Sequence, residues 1–172
     1  GNIEVTSEVG IGTTFVVEIP FEIAPPPEEF PVKEAAPSGD IHGLKLLLAE
    51  DNELNADIAE TLLTDAGAHV TIVKNGKKAV DCFEAAPPGT FDAILMDVMM
   101  PVMDGLAATR AIRAIPRADA RQIPILAMTA NAFEEDARQC LAAGMNVHLA
   151  KPLQMDKVLA ALMECCGKKK DL

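Results

Sequence analysis

The sequence predicts an α/β fold: a doubly wound, five-stranded parallel sheet, preceded by a β-hairpin fragment and a Pro-rich linker. Three observations predict it. Between residues 41 and 167, short apolar runs alternate five times with stretches of helical period. The runs are apolar throughout rather than alternating, the pattern of strands buried on both faces. Before them, two period-2 stretches flank a glycine turn, and a segment rich in Pro and acids separates the two regions.

The hairpin comes first. Ile3 and Val5 alternate with polar neighbours, as do Phe15, Val17 and Ile19 after Gly10-Ile11-Gly12. A lone hairpin is marginal in water, so residues 1–21 read as the severed edge of a larger sheet. Residues 22–40 hold five of the twelve prolines, with acids and little apolar periodicity, and read as a semi-rigid linker. The α/β region spans 41–167, long enough for its own core, and 168–172 form a short basic tail.

Within the α/β region, Leu44 to Leu48 form the first strand, ending at Ala49-Glu50-Asp51. A helix follows, with Leu54, Ile58, Ala59, Leu62 and Leu63 on one stripe, capping groups at Asp51-Asn52 and a stop at Gly67. His69–Val73 is a strand, and Gly76–Ala85 is a helix that ends before Pro87-Pro88. Phe91–Met96 is a strand ending at Asp97, and Asp104 caps a helix over Gly105–Ile115. Ile123–Met128 ends at Thr129, Phe133–Ala143 is a helix stopped by Gly144, Val147–Ala150 ends at Lys151-Pro152, and Met155–Cys166 is the last helix. Right-handed crossovers then place helices on both sides of the sheet.

Composition narrows the function. Fifteen Lys and Arg against 26 Asp and Glu give a net charge of −11. Residues 1–40 carry 8 acids and 1 base, a net of −7, so most of the acidity belongs to the front quarter. An acidic chain with no Trp, no Tyr and six Phe lacks the basic field and stacking surface of a nucleic-acid binder. No apolar run reaches the roughly 20 residues that span a bilayer, so no direct membrane contact is expected. No signal peptide is visible. Cys82, Cys140, Cys165 and Cys166 show no zinc spacing, and a reduced, cytoplasmic setting is the expectation.

The chemistry lies at the strand ends. In an open parallel sheet, ligands bind at the carboxyl ends of the strands, near the switch in strand order. Those ends carry Glu50-Asp51, Asp97, Thr129 and Lys151. Clustered carboxylates raise one another's pKa values unless a cation joins them, and oxygen-only ligands suit Mg²⁺. A lysine and a hydroxyl opposite the metal would hold phosphoryl oxygens. A carboxylate can itself be the nucleophile that forms an acyl phosphate. The set reads as a Mg²⁺-assisted phosphoryl-transfer site on an aspartate.

Four motifs, LLLAEDN (46–52), ILMDVMMPVMDG (94–105), ILAMTAN (125–131) and HLAKP (148–152), resemble in order and spacing the receiver domain of two-component signalling. The resemblance implies a flavodoxin-like, CheY-like receiver fold with Asp97 as the phospho-acceptor. It implies that Asp51 and the Met99 carbonyl are Mg²⁺ ligands, with Glu50 acting through a metal-bound water. It also implies that Lys151 pairs with the phosphoryl group and with Asp97, and that Thr129 turns inward to it. His148 stands where the family often carries a switching Tyr or Phe, and Val147 replaces an expected acidic residue. Residues 1–21, with Gly1, Ile3, Val5, Ser7, Gly10, Gly12-Thr13 and Phe15, resemble the closing hairpin of a histidine-kinase ATP-binding domain. No Walker lysine follows the glycines, and the Asn-bearing helix and lid glycines of such a domain are absent, so ATP binding by this sequence is not expected.

Together the two resemblances imply the C-terminal end of a hybrid sensor histidine kinase, a reading compatible with a membrane-anchored parent. The implied partners are the histidine kinase core, a histidine phosphotransfer protein, or both. His42, His69 and His148 fall in a linker end and in strands rather than on an exposed helix face, so the phosphoryl donor is expected elsewhere. Met96, Met99, Met100 and Met103 read as core or loop packing, with Met99 and Met103 placed to shape docking. A receiver fold serving only as a docking module for its own kinase is the alternative; the complete acid, hydroxyl and lysine set favours phosphorylation. A flavin domain is disfavoured, since a flavin phosphate would meet Glu50 and Asp51 rather than backbone donors.

Overall fold

A computed structural model of the chain describes residues 1–20, 41–130 and 134–167. The linker, Asn131, Phe133 and the Lys168–Lys170 run lie outside the described residues. The chain divides into two compact units, residues 1–35 and 36–172. The first is an antiparallel hairpin of β1 (Asn2–Glu8) and β2 (Gly12–Glu18), with Ile3 opposite Val17 and Val5 opposite Phe15. All four of these apolar side chains are exposed, which is what a strand pair without a covering layer must show.

The second unit contains β3 (Lys45–Ala49), α1 (Glu53–Asp65), β4 (His69–Val73), α2 (Gly76–Ala85) and β5 (Ala93–Asp97). It continues with α3 (Gly105–Ala114), α4 (Ala118–Gln122), β6 (Ile125–Thr129), α5 (Glu134–Ala143), β7 (Val147–Ala150) and α6 (Met155–Cys166). The sheet order is β4-β3-β5-β6-β7, and every pairing is parallel. The doubly wound parallel sheet expected from the sequence is therefore present.

Alternation along each strand feeds two cores. Leu47, Ala49, Ile94, Met96, Ile125 and Ala127 face the layer of α2 and α3, where Ala79, Phe83, Ala108 and Ile112 are buried. Their neighbours Leu46, Leu48, Leu95, Leu126 and Met128 face α1 and α6, where Ala59, Leu63, Val158 and Leu162 are buried. With both faces covered, the central strands read as continuous apolar runs.

Caps start three helices where the sequence offers them. Asn52, Asn75 and Asp104 accept the backbone N–H groups of Asn55, Lys78 and Ala107 at 3.1, 2.9 and 2.7 Å. Gly67 ends the first helical segment at φ +91°, and a Cβ there would come within 2.7 Å of the His42 ring.

Three expectations need correction. The strand expected from Phe91 begins at Ala93: at Asp92 the Lys45 N–H bonds the side-chain carboxylate at 2.9 Å in place of a backbone carbonyl. The short helix α4 was not expected: five residues are too few to show a period. It is held by buried Ala120 and by Arg117, which pairs with Asp119 at 3.0 Å and stacks over Phe83 at 4.6 Å. The expected stripe of α1 splits. Ala56, Ala59 and Leu63 are buried, whereas Leu54, Ile58 and Leu62 are 68%, 50% and 39% exposed.

Val102 sits in the β5–α3 loop at φ +71° and is 85% exposed. A β-branched residue in the left-handed region costs about 1–2 kcal/mol, with no packing here to offset it. Val102→Asn is expected to raise the thermal midpoint by a few degrees in a denaturation scan; an unchanged or lower midpoint would show that the loop carries no such strain.

Candidate functional site

Sheet register assembles the candidate site. Ala49 pairs with Met96, so Glu50-Asp51 leave β3 beside Asp97, the last residue of β5. Asp97 pairs with Met128 and Thr129 with Ala150, so Thr129 and Lys151 reach the same edge one step on. Backbone bonds hold both residues at the strand ends: Glu50 N–H bonds the Val73 carbonyl at 3.0 Å and Lys151 N–H bonds the Thr129 carbonyl at 2.7 Å. The Lys151–Pro152 peptide is cis.

The side chains close on one another. Lys151 Nζ donates to Glu50 Oε2 at 2.6 Å and to Asp97 Oδ2 at 2.7 Å. Met99 N–H donates to the other Asp97 oxygen at 3.1 Å, and Asn55 Nδ2 donates to Glu50 Oε1 at 3.2 Å. Both oxygens of Asp97 are thus held, and the carboxylate plane is fixed. Glu50 and Asp97 are buried, at 3% and 4% exposure, while Asp51 faces solvent. Carboxylate oxygens of all three lie within 4.8 Å of one another.

Electrostatics follow from that geometry. Three carboxylates against one ammonium leave a net charge of −2. Two like charges about 5 Å apart repel by about 3 kcal/mol at an effective dielectric near 20. Burial pushes the Asp97 carboxyl above the ordinary aspartate value, against the pull of Lys151 and of the Met99 N–H. Burial alone would lower the Lys151 ammonium, but its bonds to Asp97 and Glu50, and their charges, hold it above the ordinary lysine value. The ammonium therefore stays charged through the neutral range. An all-oxygen set with two buried carboxylates, one exposed and an excess of negative charge fits a hard divalent cation approaching from the Asp51 side.

Of the residues singled out in the sequence, Glu50, Asp51, Asp97, Lys151 and the Met99 backbone come together. Thr129 is buried, at 4% exposure, on the same edge. His148 lies lower on β7, opposite Ala127, and its buried Nε2 has no hydrogen-bond partner among the described residues. Met96 and Met100 are core, while Met99 is 75% exposed.

Two residues at the site were missed. Asn55, in the first turn of α1, donates back to Glu50 Oε1, and nothing in the sequence spacing signalled it because Glu50 lies outside the helix. Gly105 is needed because any Cβ there would overlap the Asp97 carbonyl oxygen and meet Met96 Cγ at 3.0 Å. Gly105→Ala is expected to destabilise the fold by about 1–3 kcal/mol through overpacking and to shift Asp97. A melting curve matching wild type would contradict this.

Comparison with known proteins follows the same outline. Residues 46–163 match the response regulator receiver domain model. The chain is 41% identical over 111 residues to hybrid signal transduction histidine kinase I of Dictyostelium discoideum, covering 63% of this chain and 6% of that protein. It is 37% identical over 165 residues to the aerobic respiration control sensor protein ArcB of Escherichia coli, covering 94% of this chain and 20% of that protein. The chain thus spans a fifth or less of the length of these relatives.

Among solved structures, the receiver domain of the Pseudomonas aeruginosa sensor histidine kinase PA1611 holds a magnesium ion in its active-site cleft. It superposes with a TM-score of 0.65 at 43% identity, over 73% of this chain and 98% of that one. The receiver domain of Saccharomyces cerevisiae Ssk1, solved with the histidine phosphotransfer protein Ypd1, gives 0.66 at 26% identity, over 74% and 92%. With the family model covering most of the chain and the strand-edge cluster in place, this protein belongs to the response regulator receiver domain family of two-component signalling.

Proposed function

We propose that the chain accepts a phosphoryl group on Asp97 and relays it in a two-component phosphorelay. The observation that carries this reading is the Asp97 carboxylate, buried yet held by Lys151 Nζ at 2.7 Å and by the Met99 N–H at 3.1 Å. A carboxylate so fixed is positioned for in-line attack. The step forms a bond from an Asp97 oxygen to phosphorus and breaks the P–N bond of a phosphohistidine, whose imidazole leaves and takes up a proton. Lys151 neutralises charge on the phosphoryl oxygens, and the Thr129 hydroxyl turns to donate to one of them.

Asp51, Asp97 and the Met99 carbonyl would hold Mg²⁺, with Glu50 acting through a metal-bound water. When bound, the ion supplies charge neutralisation for the three carboxylates and the incoming phosphoryl group. His148, on the edge strand and without a hydrogen-bond partner at Nε2 among the described residues, is the switch position that would move with Thr129, a shift between two populated states rather than a new fold.

The hairpin is proposed as the closing segment of a histidine-kinase ATP-binding domain, which would place the receiver after the catalytic region of a hybrid kinase. Two observations support this. The match to ArcB leaves only 6% of the chain unaligned, about 10 of 172 residues, so it takes in most of what precedes the receiver. The hairpin also exposes Ile3, Val5, Phe15, Val17 and Ile19, apolar residues that a larger sheet would cover. Among the described residues no helix is long and apolar enough to cross a membrane.

Incubation with acetyl phosphate and Mg²⁺, read by intact mass, tests the transfer. One phosphoryl group is expected with Mg²⁺, and none when EDTA replaces it. Absence of any adduct over a range of donor concentrations would favour the docking-module reading.

A further inference from the structure

Of the eight methionines, one stands in solvent. Met99 is 75% exposed, whereas Met96, Met100, Met128 and Met145 are at most 8% exposed. Met103, Met155 and Met163 are half-buried and pack against the two cores. The exposed one sits at the mouth of the strand-edge site. Its backbone N–H bonds Asp97 Oδ1 at 3.1 Å, so the thioether is carried on backbone pinned to that carboxylate. The thiols compete poorly for an oxidant. Cys140 and Cys166 are buried, and Cys82 and Cys165 are half-buried. Burial pushes the Cys82 and Cys140 thiols above the ordinary value, which depletes the thiolate, the form that oxidants attack. A thioether needs no ionisation, so access to its sulfur decides how fast it reacts.

We infer that Met99 is a redox-sensitive modification site, oxidised to its sulfoxide by hydrogen peroxide, and that the sulfoxide shortens the life of the phosphoryl group on Asp97. The second half of the inference rests on the phosphoryl-transfer reading; the first does not. In the oxidation, a sulfur lone pair attacks one peroxide oxygen and forms the S–O bond as the O–O bond breaks. The departing hydroxide takes up the remaining proton and leaves as water. Sulfur is oxidised by two electrons and the peroxide is reduced by two. The reagent is uncharged, so the excess negative charge of Glu50, Asp51 and Asp97 over Lys151 does not repel it. The product differs sharply from the parent side chain: a flexible apolar group becomes a polar one with a strong acceptor oxygen. A thioether beside an acyl phosphate orders no water. A sulfoxide oxygen accepts hydrogen bonds from water and holds it at the mouth of the site, where it can attack phosphorus and release the Asp97 carboxylate.

The test has two readouts. Wild type is exposed to a limiting dose of hydrogen peroxide, and peptide mass spectrometry follows oxygen addition at each methionine. Met99 is expected to oxidise at least twofold faster than each of the other seven. Peroxide is then removed, the protein is labelled with acetyl phosphate and Mg²⁺, the donor is stripped, and loss of the phosphoryl group is followed by intact mass. Treated wild type is expected to lose it at least twofold faster than untreated wild type, and methionine sulfoxide reductases acting on both epimers should restore the slower rate. Met99→Leu, whatever its own rate, should decay equally before and after peroxide. Another methionine oxidising to within twofold of Met99 would overturn the assignment of the site. A less than twofold acceleration in wild type, or the same acceleration in treated Met99→Leu, would overturn the effect on lifetime. If untreated wild type takes up no phosphoryl group, the phosphoryl-transfer reading fails and the effect on lifetime falls with it, while the ranking of the methionines is judged by its own readout.

Discussion

Asp97→Asn is expected to take up no phosphoryl group from acetyl phosphate and Mg²⁺, and to melt higher than wild type in metal-free buffer. The first effect is loss of the proposed nucleophile, since an amide oxygen does not form an acyl phosphate under these conditions. The second follows from the sign of the Asp97 shift. Its folded pKa lies above the ordinary value, so the native state holds the proton more tightly than the unfolded chain. The stability this contributes is present below the ordinary aspartate value and is lost as pH rises through the raised one. At neutral pH the ionised carboxylate is therefore a net cost, set against Glu50 and Asp51 within 4.8 Å. Asparagine removes that charge and leaves Lys151 paired with Glu50 at 2.6 Å. In a chain of this size each kcal/mol moves the midpoint by about 2–4 °C, so a rise of a few degrees is the expected reading. A lower midpoint would mean that the Lys151–Asp97 pair outweighs the repulsion.

Lys151→Ala carries the second large effect, with the opposite sign in stability. The ammonium is the only cation bonded to Glu50 and Asp97 among the described residues, and both carboxylates are nearly inaccessible. Removing one partner of a buried ion pair costs about 3–5 kcal/mol, and the 21% exposure of the Lys151 side chain places the cost at the lower end. The metal-free midpoint is expected to drop by about 6–10 °C. Mg²⁺ binding is expected to persist, because the carboxylate set is intact, and saturating Mg²⁺ should recover part of the loss by binding only the folded state. Phosphorylation should slow, and the conformational response to it should be lost. Thermal scans with and without Mg²⁺ check this. Loss of Mg²⁺ binding in the variant would contradict the assignment of Lys151 to the phosphoryl group rather than to the metal.

The strand-end cluster was legible because it is a consequence of register. Once Leu46–Leu48, Ile94–Met96, Ile125–Met128 and Val147–Ala150 are read as parallel strands, the polar residues that follow them must share an edge. The α1 face was half legible. Helical periodicity puts Ile58 and Leu62 near Ala59 and Leu63, but it cannot say which side a sheet will cover, and here the small residue Ala59 goes inward.

Arg113 was not legible at all. Its guanidinium donates to the Ala120 and Gly144 carbonyls at 2.8 and 2.9 Å and to Asn146 Oδ1 at 3.1 Å, tying α3 to α4 and to the turn before β7. Burial pulls its pKa below the ordinary arginine value. A basic residue in the last turn of a helix reads as a solvated C-terminal charge, and only the tertiary fold turns it into a clamp.

The central claim is that the phosphoryl group resides on Asp97. The most direct test reduces the acetyl-phosphate-treated protein with borohydride and sequences its peptides by mass spectrometry. An aspartyl phosphate is reduced to homoserine, so homoserine at position 97, dependent on Mg²⁺ and absent from untreated protein, is the predicted result. Homoserine at position 51 or elsewhere, with Asp97 unmodified, would contradict the account.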